Sequence, residues 1–187
     1  MSGIPAATVA NLARENGQFH IAVVANLVAT LCHIGVAGLL DELMRPVHRV
    51  ISRVAVLFGL AGCVMGALTV VLELAGPALI ASSSSAGRAH GDLIYLLNIA
   101  ASRASIGLAM FGVYCLLLGW LALRSRFLPR ILGALLILSG AIWLTTNLAV
   151  LTRPDLSGAL LWTVGVAALG EIFFILWLLI KSVDEAE

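Results

Sequence analysis

Long apolar runs separated by short polar stretches make up most of this chain. Five such runs lie at about 19–40, 54–79, 93–123, 131–151 and 157–180. Each reaches the roughly 20 residues that a helix needs to cross a bilayer. Because lipid offers no hydrogen bonds to the backbone, an uninterrupted apolar run of this length indicates a helix. The pattern therefore predicts an all-α integral membrane bundle of five transmembrane helices, in a single domain spanning residues 1–187.

The segment before the first run, residues 1–18, is shorter and more polar. Pro5 stands where a helix can begin, and Val9, Leu12 and Ala13 share one face of that helix. A short amphipathic helix of this kind lies on a membrane surface. We therefore expect residues 1–18 to form a surface segment on the outer side.

Positive charge in the short loops predicts the orientation. Lys and Arg in short loops are retained on the cytoplasmic side. The loops between the first and second and between the third and fourth helices, with the end of the fifth, hold seven: Arg45, Arg49, Arg53, Arg124, Arg126, Arg130 and Lys181. The opposite side holds three: Arg14, Arg88 and Arg153. The count predicts that the N-terminus lies outside and the C-terminus in the cytoplasm.

Composition narrows the function. The chain is 61% hydrophobic and 11% charged, and its mean hydropathy is +1.07, whereas soluble domains are about 25% charged. No basic stripe indicates nucleic-acid binding. No motif specifies a reaction, so we expect no enzymatic activity, no catalytic residues, no cofactor and no metal site. The expected partners are the lipid bilayer and, through helix faces, another membrane protein or a second copy of the chain.

The segment Leu116 to Trp143, which reads LLLGWLALRSRFLPRILGALLILSGAIW, resembles the signature of an uncharacterised bacterial multi-pass membrane family, domain of unknown function 4386. Ala6 to Asn11, Leu43 to Val47 and Gly170 to Lys181 match further pieces in the family's order. The resemblance covers nearly the whole chain. It implies a multi-pass helical domain in the bacterial cytoplasmic (inner) membrane, and it implies no activity.

Members of that family usually have one more membrane helix before the segment that corresponds to Ala6 to Asn11. The resemblance therefore predicts that this chain lacks the family's first membrane helix. Two explanations stay open: the helix is naturally missing, which leaves a groove for another helix, or the start site is shortened.

Several polar residues fall at similar depths near the outer boundary. Counted from the cytoplasmic end of each helix at about 1.5 Å per residue, Glu73 and Arg103 both lie about 30 Å up, and Asn147 lies about 25 Å up. We predict an outer ion pair between Glu73 and Arg103 with Asn147 nearby. The alternative interpretation is a polar, outward-facing cavity.

Glu171 and His33 fall nearer the middle of the bilayer. The same count places Glu171 about 15 Å up and His33 about 12 Å up, so they form a candidate buried polar site. A carboxyl at that depth is a functional-site hypothesis, but the interpretation we favour is a packing role through a hydrogen bond between helices. The depths of Cys63 and Cys115 are similar, but buried cysteine is common and no metal-ligand spacing is present.

Two functional classes remain open from these observations. The first is a non-catalytic scaffold or accessory subunit of a membrane complex, which the short loops and ladders of small residues favour. The second is a small solute, ion or lipid binding or transport module that uses the mid-membrane Glu171 and His33. Small residues such as Gly62 and Gly66 fit internal packing or a dimer face.

Overall fold

The computed structural model describes residues 16–82, 86–153 and 157–184, and its regular structure there is entirely α-helical. The elements are α1 (Asn16–Ser82), α2 (Ala86–Arg124), α3 (Arg130–Thr152) and α4 (Ser157–Asp184). Most of the expected surface segment, residues 1–15, lies outside the described residues. The fold class is therefore all-α.

A bend at His48 divides α1 into two arms, α1a (residues 16–47) and α1b (residues 49–82). His48 has extended backbone angles, φ −161° and ψ 98°, whereas both flanking segments are helical. Its Nδ1 accepts a hydrogen bond from the Ile51 backbone N–H at 3.3 Å, as a side chain does when it caps the start of a helix. The hydroxyl of Ser52 in α1b donates to Oδ1 of Asp41 in α1a at 2.6 Å. The two arms therefore fold back alongside each other.

Helix continues on both sides of His48 through positions 41–53, where the polar composition indicated a loop. The Arg45 guanidinium lies 3.0 Å from the Asp41 carboxylate and 2.7 Å from that of Glu42, which are one helical turn away. These side chains satisfy one another along a helix surface, so their polarity does not end the helix.

Within the described residues, four helices are long and apolar enough to cross a membrane, with candidate spans Val23–Val71, Ala104–Arg124, Arg130–Thr152 and Trp162–Lys181. The first of these contains 49 residues and the bend. Large apolar side chains cover the outside: Leu39 is 73% exposed and Ile131 is 69% exposed. Such a surface is stable in lipid and is rare on soluble monomers.

Helix α2 lies at the centre of the packing. It packs against α1 on one side and α3 on the other, and α3 packs against α4. The buried core includes, from α1a, Ala37, Leu40 and Met44; from α2, Tyr114, Cys115, Leu118, Leu121 and Ala122; from α3, Leu132 and Leu136; and from α4, Phe174. Residues that face α2 therefore position α1 and α3, and α3 in turn positions α4.

Paired glycines bring the helix backbones close together. A Cβ added to Gly112 would lie 2.9 Å from the carbonyl oxygen of Gly140, and one added to Gly119 would lie 2.7 Å from that of Gly133. Both pairs join α2 to α3. A Cβ added to Gly62 of α1b would lie 3.1 Å from the carbonyl oxygen of Gly107 in α2. Gly62 therefore serves a contact inside the bundle.

The bend in α1 and the turn between α2 and α3 lie at the same end of the bundle. The ring of Trp120 lies 5.9 Å from that of His48, and the Arg124 guanidinium carbon lies 4.2 Å from the Trp120 ring. At the end of α2 the Ser125 hydroxyl donates to the Ala122 carbonyl oxygen and accepts from the Leu128 N–H. This brings two of the arginine-rich segments together.

Candidate functional site

The Glu171 carboxylate contacts two other helices. Its Oε1 accepts a hydrogen bond from the indole Nε1 of Trp143 in α3 at 2.6 Å, and the thiol of Cys115 in α2 lies 3.9 Å from the same oxygen. Trp143 is almost fully buried, and a buried indole N–H needs an acceptor. Glu171 supplies that acceptor, so this carboxylate connects three helices.

Further polar contacts join α3 to α4 around Glu171. The buried Ser139 hydroxyl donates to the Ala167 carbonyl oxygen at 2.6 Å, and the hydroxyls of Thr146 and Thr163 lie 3.1 Å apart. Gly170 permits close approach, because a Cβ there would lie 2.9 Å from the Leu135 carbonyl oxygen. In an apolar environment such bonds hold helices together. The surroundings of Glu171 are thus built for helix packing.

Of the predicted outer cluster, Asn147 is the member whose side chain is described. It is buried, and its Nδ2 donates to the Trp143 carbonyl oxygen one turn earlier at 2.8 Å. The Asn147 side chain therefore bonds to the backbone of its own helix, at Trp143. The side chains of Glu73 and Arg103 lie outside the described residues, so their ion pair stays a prediction.

His33 and Glu171 contact different residues of α2, because Glu171 lies near Cys115 whereas His33 packs against two aromatic rings. Its ring packs edge-on against Phe111, with centroids 5.3 Å apart, and against Tyr114, with centroids 5.6 Å apart. Tyr114 and Cys115 are consecutive, so His33 and Glu171 lie at the same level of the bundle but in different directions from α2. In the part of the chain that the structure describes, no hydrogen bond or ion pair joins His33 to Glu171.

A cavity of about 360 Å³ lies beside His33, between α1a, α1b and α2. Its polar lining consists of Asn26, Thr30, His33, Cys63 and Thr69, and the rest is mainly glycine, alanine, leucine and phenylalanine. Glu171 and Cys115 are not among the described residues that line it. Glu171 therefore lies at a packed contact between helices, whereas His33 lies beside a cavity.

A second, larger cavity is a groove of about 540 Å³ between α1a and α4. Its walls are apolar, with Leu39 and Leu43 on one side and Leu178 on the other, and Lys181 and Phe127 at the end that carries the basic turns. Since Lys181 and Phe127 line the same groove, the end of α4 lies at the same end of the bundle as the turn between α2 and α3. We refer to this cavity as the α1a–α4 groove.

The depth count from the sequence located Glu171 and His33 but missed their partners. Nothing in the sequence identified Trp143 as the partner of Glu171, because a depth count says nothing about the direction in which a side chain points. The cavity had a weak signal, since Asn26, Thr30 and His33 recur with the spacing of one helix face. Among the described residues, no three His, Cys, Asp or Glu side chains come together as metal ligands.

Together, the apolar exterior, the long helices and the polar contacts kept inside the bundle define a multi-pass α-helical membrane protein. Within this class the chain belongs to the family described as domain of unknown function (DUF4386), whose sequence profile matches residues 1–182. No curated protein and no solved structure shows significant similarity to it. The family describes the kind of protein and supplies no activity.

Proposed function

We propose that the chain is a bacterial inner-membrane protein that crosses the bilayer five times, with the N-terminus outside and the C-terminus in the cytoplasm. Two crossings by α1 are supported by the bend at His48, since each arm is longer than the roughly 20 residues that one crossing needs. Trp120 contacts both His48 and Arg124, and Phe127 and Lys181 line the same α1a–α4 groove. These positions support the placement of the basic segments at one end of the bundle. Basic loops favour the cytoplasm.

Labelling with a membrane-impermeant maleimide tests this orientation. Arg126→Cys, at an exposed site in the basic turn, is expected to react only after the cells are permeabilised. Arg153→Cys, at an exposed site beyond the other end of α3, is the matched control and is expected to react in intact cells. The reverse labelling pattern would show that the proposed orientation is inverted.

We further propose that the protein is a non-catalytic scaffold or accessory subunit of a membrane complex. The observation that carries this proposal is the α1a–α4 groove. In the described residues the backbones of α1 and α4 do not approach each other closely, and the groove lies between these two helices. The α1a wall has the i, i+3, i+4, i+7 spacing of a helix-packing stripe, at Val36, Leu39, Leu40 and Leu43. The proposed occupant is therefore a transmembrane helix of a partner protein.

Photo-crosslinking in native membranes tests this role. A photoreactive residue at Leu39, in the groove, is expected to give a protein adduct of one defined mass. The control is the same residue at Leu138, which is 54% exposed on α3 and outside the groove lining, and which is expected to give lipid adducts. Lipid adducts alone at Leu39 would contradict the partner helix, and an adduct of two copies would replace the partner by a homo-oligomer.

The second candidate function is a binding or transport module for a small solute, ion or lipid. The cavity beside His33 favours it, because a space of about 360 Å³ with convergent polar groups falls in the range of ligand sites. The contacts of Glu171 with Trp143 and Cys115 support a packing role for that carboxylate. In this second function His33, and not Glu171, is the residue that would face the ligand.

A further inference from the structure

The cavity beside His33 offers hydrogen bonds but no fixed charge. Among the described residues that line it there is no Asp, Glu, Lys or Arg. Asn26, Thr30 and His33 stand at i, i+4 and i+7 on α1a, so three polar groups extend over about 10 Å along one face of that helix. A ligand that matches this lining is neutral and carries hydrogen-bonding atoms at two separated positions.

Some polar groups of the cavity lining form hydrogen bonds within the protein and others do not. The Thr30 hydroxyl donates to the Asn26 carbonyl oxygen at 2.9 Å, and that of Thr69 donates to the Met65 carbonyl oxygen at 3.0 Å. In the described part of the chain, the Asn26 amide and the His33 ring have no hydrogen-bond partner. Polar groups left unpaired in an apolar environment are costly. The unused donors, at Asn26 and His33, therefore call for acceptor atoms on a ligand.

The remaining lining suits a flat ring. Gly66 is open, since a Cβ there would meet nothing within 4 Å, and on the opposite helix the Phe111 ring stands against His33. Asn26 and Leu108 line the cavity and are exposed on the outside of the bundle. An apolar tail can therefore leave the cavity into the surrounding lipid while the ring stays inside.

We propose that this cavity binds the head of a neutral isoprenoid lipid of the quinone class, with its two carbonyl oxygens accepting from His33 and Asn26 and its tail in the bilayer. The inference rests on the second candidate function above and is independent of the α1a–α4 groove. It concerns binding alone and includes no electron transfer.

The first test fills the cavity. Gly66 lines the cavity and a Cβ there meets nothing within 4 Å, so the side chain of Gly66→Leu is expected to occupy the cavity. Gly165→Leu on α4 is the matched control, because Gly165 is equally open and does not line the cavity. Ubiquinone-1 is expected to raise the unfolding midpoint of the wild type and of Gly165→Leu in detergent, because binding to the folded state stabilises it. Gly66→Leu is expected to show no rise.

The second test removes single hydrogen bonds. His33→Phe keeps a ring against Phe111 and Tyr114 but lacks the N–H, and Asn26→Leu removes the amide. Each is expected to raise the dissociation constant for ubiquinone-1 about three- to tenfold, because each loses one neutral hydrogen bond to the ligand. The unliganded unfolding midpoints of the same variants give the reference for folding.

The outcomes separate this inference from the proposed function. The inference is overturned if ubiquinone-1 does not raise the unfolding midpoint of the wild type, because the probe then fails to bind. It is also overturned if the midpoint of Gly66→Leu rises equally, because the probe then acts by partitioning into the micelle. Farnesol, which has an isoprenoid tail and one hydroxyl but no ring, is the comparison ligand. If farnesol binds as well as ubiquinone-1 and Gly66→Leu blocks both, the binding function stands and the quinone class is wrong.

Discussion

Gly119→Ala is expected to lower the unfolding midpoint in detergent by about 5–10 °C. The added Cβ would lie 2.7 Å from the Gly133 carbonyl oxygen and 2.8 Å from the Ile137 backbone nitrogen. Both are backbone atoms of α3, so the overlap is relieved only if α2 and α3 move apart. Overpacking of this kind costs roughly 1–3 kcal/mol, and 1 kcal/mol corresponds to about 2–4 °C in a chain of this size.

The control for this prediction is Gly165→Ala, where a Cβ meets nothing within 4 Å. Alanine favours a helix over glycine by about 1 kcal/mol at either position. The control is therefore expected to keep or slightly raise the midpoint, so that a fall at Gly119 reports the contact with α3. Equal stability of the two variants would show that α2 and α3 do not pack through their glycines.

Glu171→Leu is expected to lower the free energy of unfolding by about 1–3 kcal/mol, since it leaves the buried Trp143 N–H without its acceptor. Glu171→Gln keeps an acceptor oxygen at the same place and is expected to lose less than half as much. Thermal or denaturant unfolding in detergent measures both variants. A Gln variant as unstable as the Leu variant would contradict the packing role.

A double-mutant cycle sharpens this prediction. Trp143→Phe removes the indole donor, so Glu171→Leu is expected to cost less in that background than in the wild type. Additive effects would mean that the indole and the carboxylate do not stabilise each other. If Glu171→Gln instead keeps full stability but abolishes a measured transport or assembly activity, the carboxyl acts in function and not only in packing.

The polar positions of the sequence carried less information than the apolar ones. The stretch 41–53 indicated a loop, yet helix runs through it on both sides of His48, because Arg45, Asp41 and Glu42 pair along the helix surface. A polar stretch indicates that its residues contact water, and residues at an exposed helix end contact water as residues in a loop do. The place of the reversal was set by one residue in extended conformation.

The glycine pairs were visible in the sequence only in retrospect. Gly112 and Gly119 are seven residues apart in α2, and Gly133 and Gly140 are seven residues apart in α3. That repeat shows that each helix has a stripe of bare backbone. It does not show which helix receives the stripe, because small residues serve internal packing and dimer contacts equally well.

The sequence by itself determined the all-helical membrane character of the protein and its family, and it predicted the depth of its polar residues. Those properties follow from local quantities: the length of an apolar run, the rise of about 1.5 Å per residue and the order of motifs. Only the tertiary structure decided that Glu171 meets Trp143 while His33 faces a cavity. The reason is rotation about the helix axis, because residues at one depth contact each other only when packing turns them to the same side.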